Sequence, residues 1–410
     1  MDTTQAIEAL RLALPAAHFA QPGSSDYDGL NHVYQSGLCS DITPACIRLK
    51  GINVKDGVVE VAAGESWGPV YDQLGESGLG FSGGRSFRSG IGGLALAGGL
   101  SFVSSREGFI CDSILNFEVV LASGAIVNSN AHENTDLWVA LRGGGNNLGI
   151  VTRFDFRTFK QGPLYGGSLY YLGDSFPGQL VAELQKPDAS EETHLMVSIG
   201  YAAMFGPQMM CMNQVYCTKG IDKSPVLQPF TEIHPQIDQM NSLRIQTLAE
   251  AAREQAGDRP SPKRSVYMNT TVKADIETLQ AALEVYTAAI EPLKAREGIV
   301  RSATQGGNVL GLETELGPFV SILFLTFWER REDDEKIVDT LREALDQVER
   351  EAETRGTLVP FKYLNYAATF QDPIGSYGGG NIENLHHASQ KFDPEGLFQK
   401  GVPGGWKLFS

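Results

Sequence analysis

The stretch from Gly83 to Phe154 limits what this chain can fold into more than any other. It reads GGRSFRSGIGGLALAGGLSFVSSREGFICDSI, continues through the β-like run FEVVLASGAIV, and closes with DLWVALRGGGNNLGIVTRF. Three glycine clusters punctuate short apolar runs: Gly90 with Gly92 and Gly93, Gly98 with Gly99, and Gly143 to Gly145. Glycine at this density lets a backbone turn at positive φ and come close to something flat or charged. A nucleotide cofactor is the usual partner of such a backbone. Ordinary tight turns are the competing explanation, because 46 glycines in 410 residues is only modestly above average usage. No G-x-G-x-x-G follows a clean strand and no G-x-x-x-x-G-K-[ST] occurs, so a Rossmann or P-loop site has no support.

A chain of 410 residues is too long for one small core and predicts two or three domains. Its 42% hydrophobic and 20% charged residues are those of a globular protein. The net charge of −16 argues against nucleic acid or an anionic membrane as a partner. No apolar run of about 18 residues is present, so no membrane-spanning helix is expected. Met1 to Leu14 lacks the basic and long apolar regions of a signal peptide. It predicts a short amphipathic helix capped by Thr3 or Thr4, with Ile7, Leu10 and Leu14 near one face, and a cytoplasmic location. Cys39, Cys46, Cys111, Cys211 and Cys217 show no metal-site spacing and read as buried free thiols. Asn269-Thr270-Thr271 is a glycosylation sequon, without meaning in a protein that is not secreted.

The texture changes near Leu164. Before it, short β-like runs alternate with glycine turns. After it, Gly167–Leu172, Thr193–Ile199, Met209–Val215 and Phe319–Phe327 predict strands, the last the most apolar. Apolar stripes predict helices over Asp275–Ile290 and Asp333–Arg355, the second stopped by Gly356. Strands with helices on one side predict an α+β architecture, an antiparallel sheet covered by helices.

The order of the pieces resembles the FAD-linked oxidases of the vanillyl-alcohol oxidase superfamily, with their PCMH-type FAD-binding domain, and in particular the berberine bridge enzyme-like group. VAAGESWGPVY (Val61 to Tyr71) is similar to that family's G-x-x-W-x-x-V-Y segment. Gly90 to Gly99 is similar to its G-x-G-G-x-x-x-G-G-G turn, with Ala97 where a glycine is common. Asp136 to Thr152 is similar to its D-L-F-W-A-L-R-G-G-G-x-x-F-G-I-V-T segment, with Leu148 for the phenylalanine. A second, separate signature lies near the C-terminus: Tyr363-Leu364-Asn365-Tyr366, Tyr377, Gly378 and Asn381, then Lys391 to Phe398. The resemblance implies an FAD-binding domain over 1–162, a substrate domain over 163–360, and a segment 361–410 that returns to the FAD domain.

One piece of the family pattern is missing. After Thr43 to Ile47 the family carries a strand, an R-x-G-G-H turn that wraps the FAD pyrophosphate, and another strand. Here Ile47 runs directly into Arg48, and no G-G-H occurs anywhere. The histidine of that turn is one covalent flavin anchor. The other is a cysteine where this chain has Ser86, and serine cannot supply the thiolate that a thioether link needs. FAD, if bound, is therefore expected to be non-covalent. Either a segment has been lost from an ordinary flavoprotein, or the chain is a variant that gave up tight flavin binding.

The resemblance assigns cofactor contacts to Ser86, Gly90, Gly92, Gly93, Gly98, Gly99, Gly149, Ile150, Val151, Asn365, Tyr377 and Asn381. It assigns the base that takes the substrate's proton to Tyr366, with Tyr363 as a supporting or substrate contact. A tyrosine titrates near 10 and needs a positive neighbour to serve as a base at neutral pH. Trp328, at the end of the apolar strand, is a substrate-pocket candidate, and Glu329 beside it a fallback base. The seven histidines show no metal spacing, His386-His387 reads as surface, and no G-x-S-x-G is present. The expected activity is oxidation of a small-molecule alcohol, phenol or amine in secondary-metabolite biosynthesis, with molecular oxygen as acceptor. The alternative is a flavin-free relative that binds or isomerises a small ligand.

Overall fold

The computed structural model describes residues 18–20, 46–171, 191–203, 206, 208–257, 264–294, 299–306, 318–402 and 404–409, with 18–20, 46–48 and 299–306 as backbone only. The N-terminal helix expectation and the side chains of Cys39 and Cys46 lie outside the described residues.

Sixteen described strands form three sheets. Strands β1 (His18–Ala20) and β2 (Cys46–Arg48) pair antiparallel, so the Ile47–Arg48 join runs inside a strand. Strands β3 (Ile52–Lys55), β4 (Val58–Ala62), β5 (Leu79–Phe81), β6 (Ile114–Val120), β7 (Ile126–Asn130) and β8 (Ile150–Lys160) form the second sheet. Its order is β3-β4-β8-β6-β7, with β5 on β8. Alternation sends Val59, Val61, Phe117, Val119, Phe154 and Phe156 into one buried cluster with Trp67 and Leu137 from the helices Trp67–Gly75 and Thr135–Leu141. Each large side chain buried there contributes roughly 1.5–3 kcal/mol.

The third sheet contains β9 (Leu164–Tyr171), β10 (Thr193–Ala202), β11 (Met209–Cys217), β12 (Arg244–Gln246), β13 (Arg264–Lys273), β14 (Ile299–Gly306), β15 (Phe319–Trp328) and β16 (Leu358–Val359). Its order is β12-β9-β11-β10-β14-β15-β13-β16, antiparallel at every pairing. The helices Ile276–Lys294 and Asp334–Thr354 cover one face, and Gly356 stops the second at φ +66°. The architecture is α+β.

The period of two along β13 and β15 decides what faces the site. Val266, Met268 and Val272 on β13, and Val320, Ile322, Phe324 and Trp328 on β15, pack under the helices. Tyr267 on β13 and Leu323, Leu325 and Phe327 on β15 form a separate cluster on the other face, together with Tyr366. After β16 the chain crosses to the second sheet, where Ile374, Leu385, Ala388 and Leu408 join its buried cluster.

Candidate functional site

Arg85 is placed by the residues beneath it. Trp67 and Tyr71 sit one turn apart on their helix, and both are buried. The Gly83–Gly84 backbone lies directly on them. A Cβ at Gly84 would fall 2.4 Å from Trp67 Nε1, and one at Gly83 2.7 Å from Tyr71 Oη. Tyr71 Oη donates to Gly84 O at 3.1 Å. So held, the loop sends the next side chain across to the eight-stranded sheet. The Arg85 guanidinium donates to Tyr366 Oη, to Met196 Sδ and, at 3.3 Å, to His194 Nε2. Burial, with the Arg85 charge beside it, holds His194 well below the ordinary histidine range. His194 is therefore neutral, and its Nε2 is the acceptor.

Tyr366 closes a short 3-10 turn, Leu364–Tyr366, and is half-buried. A buried amide pair holds the turn against β13. Asn269 Nδ2 donates to Tyr363 O at 3.0 Å, and Tyr363 N donates back to Asn269 Oδ1 at 2.8 Å. Gln371 covers the Asn269 backbone from the other side: Nε2 donates to Asn269 O at 2.8 Å, and Oε1 accepts from Asn269 N and Ala368 N, each at 3.1 Å. Trp406 Nε1 donates to Gln371 O at 2.8 Å, tying in the tail. The sequon asparagine is thus a fully buried structural amide, closed to a glycan.

The expected site residues separate into distinct roles. Tyr363 and Tyr366 are together, rings edge to face with centroids 4.9 Å apart. Tyr363 is only 1% exposed, and burial pushes its hydroxyl up. Its hydroxyl accepts from Asn365 Nδ2 at 3.0 Å, so it braces the turn and does not offer a substrate contact. Asn365 Nδ2 also reaches Leu94 O and Ala97 O, linking the turn to the glycine loop. Tyr377 Oη donates to Gly143 O at 3.1 Å, and exposed Asn381 donates to Tyr377 O at 2.9 Å. In this arrangement Asn365 and Tyr377 tie the tail to the glycine loops, while the exposed Asn381 keeps a second amide N–H beyond its bond to Tyr377 O.

The glycines divide the same way. Gly90 and Gly93 have open space where a Cβ would stand, and at Gly92 only Ala63 O comes within 4 Å, at 3.6 Å. They open the short helix Ile91–Leu96, whose first N–H groups have no partner inside the helix. Gly98 and Gly99 are required by the backbone itself: φ is +95° and +84°, and a Cβ at Gly99 would sit 2.7 Å from the Ile110 side chain. Gly149 lets β8 approach β6, since its Cβ would meet Val119 at 2.5 Å. Val151 is buried in that core while Ile150 is 58% exposed, so Val151 could meet a ligand only through its backbone. Ser86 is half-buried beside Arg85.

Trp328 is the clearest correction. It is fully buried on the helix side, with Nε1 donating to Asp334 Oδ1 at 2.7 Å, one residue out of phase with the site face. Glu329 is exposed beyond the strand end. His386 is half-buried, Nε2 at 2.9 Å from Leu408 O and its ring stacked on Phe409, while His387 is exposed. Among the described residues no His, Cys, Asp and Glu cluster could hold a metal ion, and no helix is long and apolar enough to cross a membrane.

The comparisons with known proteins agree on the flavin. The FAD binding domain family matches residues 23–130. An FAD-dependent monooxygenase of Fusarium proliferatum is 32% identical over 416 positions, which take in 95% of this chain and 78% of the relative. One from Cochliobolus heterostrophus is 33% identical, over 94% of this chain and 79% of the relative. The berberine bridge enzyme of Eschscholzia californica superimposes with a TM-score of 0.64 at 15% identity, over 85% of this chain and 77% of that one. The chain belongs to the family of these FAD-dependent monooxygenases, and its likeness to the berberine bridge enzyme is one of fold. Fold likeness extends to 6-hydroxy-D-nicotine oxidase of Arthrobacter nicotinovorans, with a TM-score of 0.72 at 16% identity over 93% of this chain and 96% of that one. Both sequence alignments run over 416 positions, more than the 410 residues of this chain, so each relative carries residues that this chain lacks.

FAD is the cofactor of this group, and the described residues fit it. The uncovered backbone at Gly90, Gly92 and Gly93 is a cradle that any Cβ would begin to fill. Arg85, His194, Met196, Asn269 and Gln371 escape sequence reasoning. Arg85 stands inside the quoted GGRS, one residue before the missing cysteine anchor, and that adjacency was the available signal.

Proposed function

We propose that this oxidoreductase oxidises a small-molecule alcohol, phenol or amine in secondary-metabolite biosynthesis, with Tyr366 as the base and molecular oxygen as the final acceptor. The observation that carries it is the Arg85 guanidinium on the Tyr366 hydroxyl. A tyrosine base needs positive charge at its oxygen, because hydrogen bonds donated to the ionised form favour it. Arg85 supplies that charge from the glycine loop, and Asn269 with Gln371 fixes the turn that carries Tyr366. Tyr267, Leu323, Leu325 and Phe327 give the same face an apolar wall that excludes water. FAD, when bound, supplies the two-electron acceptor, with Gly90, Gly92 and Gly93 as its backbone cradle. The sequence around Ile47–Arg48, where the family's pyrophosphate turn is missing, supports weakened and non-covalent binding. That the chain works in the cytoplasm is part of the same proposal.

The test is anaerobic stopped-flow reduction of the FAD-supplied protein by benzylic alcohols, phenols and benzylamines. General-base contributions are typically about 10²–10⁴-fold, so Tyr366→Phe should slow reduction by that order with little change in FAD affinity. Tyr363→Phe should do less. Equal rates for the wild type and Tyr366→Phe would remove Tyr366 from the mechanism.

A further inference from the structure

An open cleft of about 510 Å³ lies where the end of β8 and the turn Ser104–Glu107 meet the ends of β9, β10 and β11. None of its lining residues belongs to the site around Tyr366. Arg106, Lys160 and Lys219 line it against one carboxylate, Glu192, and three cations less one anion leave +2 in a chain of net charge −16. Glu192 is paired with Lys219. Arg106 is fixed from two sides: Nε donates to Glu107 Oε1 at 2.7 Å, and the guanidinium lies 4.8 Å from the Phe159 ring centroid. Both its Nη groups are left without an acceptor among the described residues, and exposed Lys160 has no partner there at all. The N–H groups of Lys219 and Gly220 have no acceptor among the described residues either. Like charges gathered at one cleft repel unless an anion lies between them. Unused backbone N–H groups beside them are the usual lining of an anion-binding concavity.

We propose that this cleft is a second ligand site, separate from the oxidation site, and that it takes a phosphate monoester. The inference goes beyond the proposed oxidation and does not depend on it. A phosphate monoester is a dianion above its second pKa of about 6, which matches the +2 lining, whereas a carboxylate brings one charge. Its three oxygens suit several donors at once, the Arg106 Nη groups, Lys160 and the free N–H groups. Exposed Pro163 and Ile221 give the organic group an apolar edge. The walls are held together without it: Gln161 Nε2 donates to Thr218 O at 3.0 Å, and a Cβ at Gly220 would meet Pro163 O at 2.9 Å. Arg106 and Lys160 come from the side of the second sheet and Lys219 from the third, so a bound dianion ties the two together.

Titration calorimetry on the full chain supplied with FAD, at low salt, tests this. The probes are phenyl phosphate, inorganic phosphate and benzoate, compared at mildly alkaline pH, where both phosphates are dianions. Phenyl phosphate should bind about tenfold tighter than benzoate, the worth of one further charge-assisted hydrogen bond. It should also bind more tightly than inorganic phosphate, which has no group for Pro163 and Ile221. Its affinity should rise as pH passes through about 6 and should fall as salt is added. Lys160→Gln and Lys219→Gln should each weaken it severalfold, whereas Lys55→Gln, an exposed lysine on β3, should leave it unchanged. Equal affinity for benzoate or for inorganic phosphate, unchanged affinity in both cleft variants, an equal loss in Lys55→Gln, or no binding at low salt would overturn the proposal. If a cleft variant does not fold, a flat pH dependence in the wild type alone overturns it.

Discussion

Asn269 offers the sharpest handle on the site, because its amide is both donor and acceptor to one peptide segment. Asn269→Leu strands the N–H and the C=O of Tyr363, now bonded at 2.8 and 3.0 Å. Each buried group left unsatisfied costs about 1–3 kcal/mol, so the pair should cost roughly 2–6 kcal/mol. Gln371 bonds the backbone of Asn269 and not its side chain, so the turn stays partly anchored. The loss should therefore fall first on the turn, and each 1.4 kcal/mol or so taken there raises the ratio of displaced to seated Tyr366 about tenfold. Thermal unfolding and anaerobic flavin reduction, measured on the same preparations, separate the two effects. A variant with both a wild-type midpoint and a wild-type reduction rate would refute the reasoning.

Asn269→Asp refines the same prediction. Its carboxyl can accept from Tyr363 N–H, but once ionised it sets a second oxygen against Tyr363 C=O. The neutral form is therefore favoured in the fold, which raises the folded-state titration above the unfolded value of about 3.9. The contribution of such a group is fully present below the unfolded value and is lost as pH rises through the folded one. Asn269→Asp should come nearest to wild type in acid and fall away toward neutrality, whereas Asn269→Leu should show no such slope of its own.

The remaining predictions concern the glycines, His194 and the thiols. Gly99→Ala should cost roughly 2–4 kcal/mol of stability, from the left-handed backbone and from overpacking against Ile110, whereas Gly93→Ala should leave thermal stability intact and weaken FAD binding in a fluorescence titration. His194 is depressed in the fold, so its contribution is present above the unfolded value of about 6.5 and lost as pH falls; the melting temperature of His194→Gln should drop less than that of wild type between neutral and mildly acidic pH. Cys111, its thiol pushed up to about 12 by burial and then by the Asp112 charge, should resist a thiol reagent at neutral pH until the protein is denatured, as should buried Cys211 and Cys217. Acid precipitation should release all bound flavin, and flavin fluorescence left on the denatured protein band would contradict non-covalent binding.

The fold is legible in this sequence wherever local chemistry and burial agree. The amphipathic stripe of Asp334–Thr354 and the glycine that stops it at Gly356 are one-sided signals that a single helix must satisfy. The apolar run Phe319–Trp328 is a different case. All ten residues are buried on both faces, so the sequence carries no alternation to tell which parity meets the site, and Trp328 comes out on the wrong side by one residue. Asn269 hides for a similar reason: its local pattern is a sequon, and its function comes from Tyr363 and Gln371, both more than ninety positions away. Arg85 is the instructive case. Its neighbours in sequence are glycines and a serine, which give a guanidinium no meaning. Only the crossing of the loop to β10 and to the Tyr366 turn shows a cation held among neutral acceptors. A motif therefore reveals where a backbone must come close to a cofactor, because glycine is the local cause of that approach. The guanidinium beside Tyr366 has no local cause, and it becomes visible only when the loop, β10 and the turn are seen together.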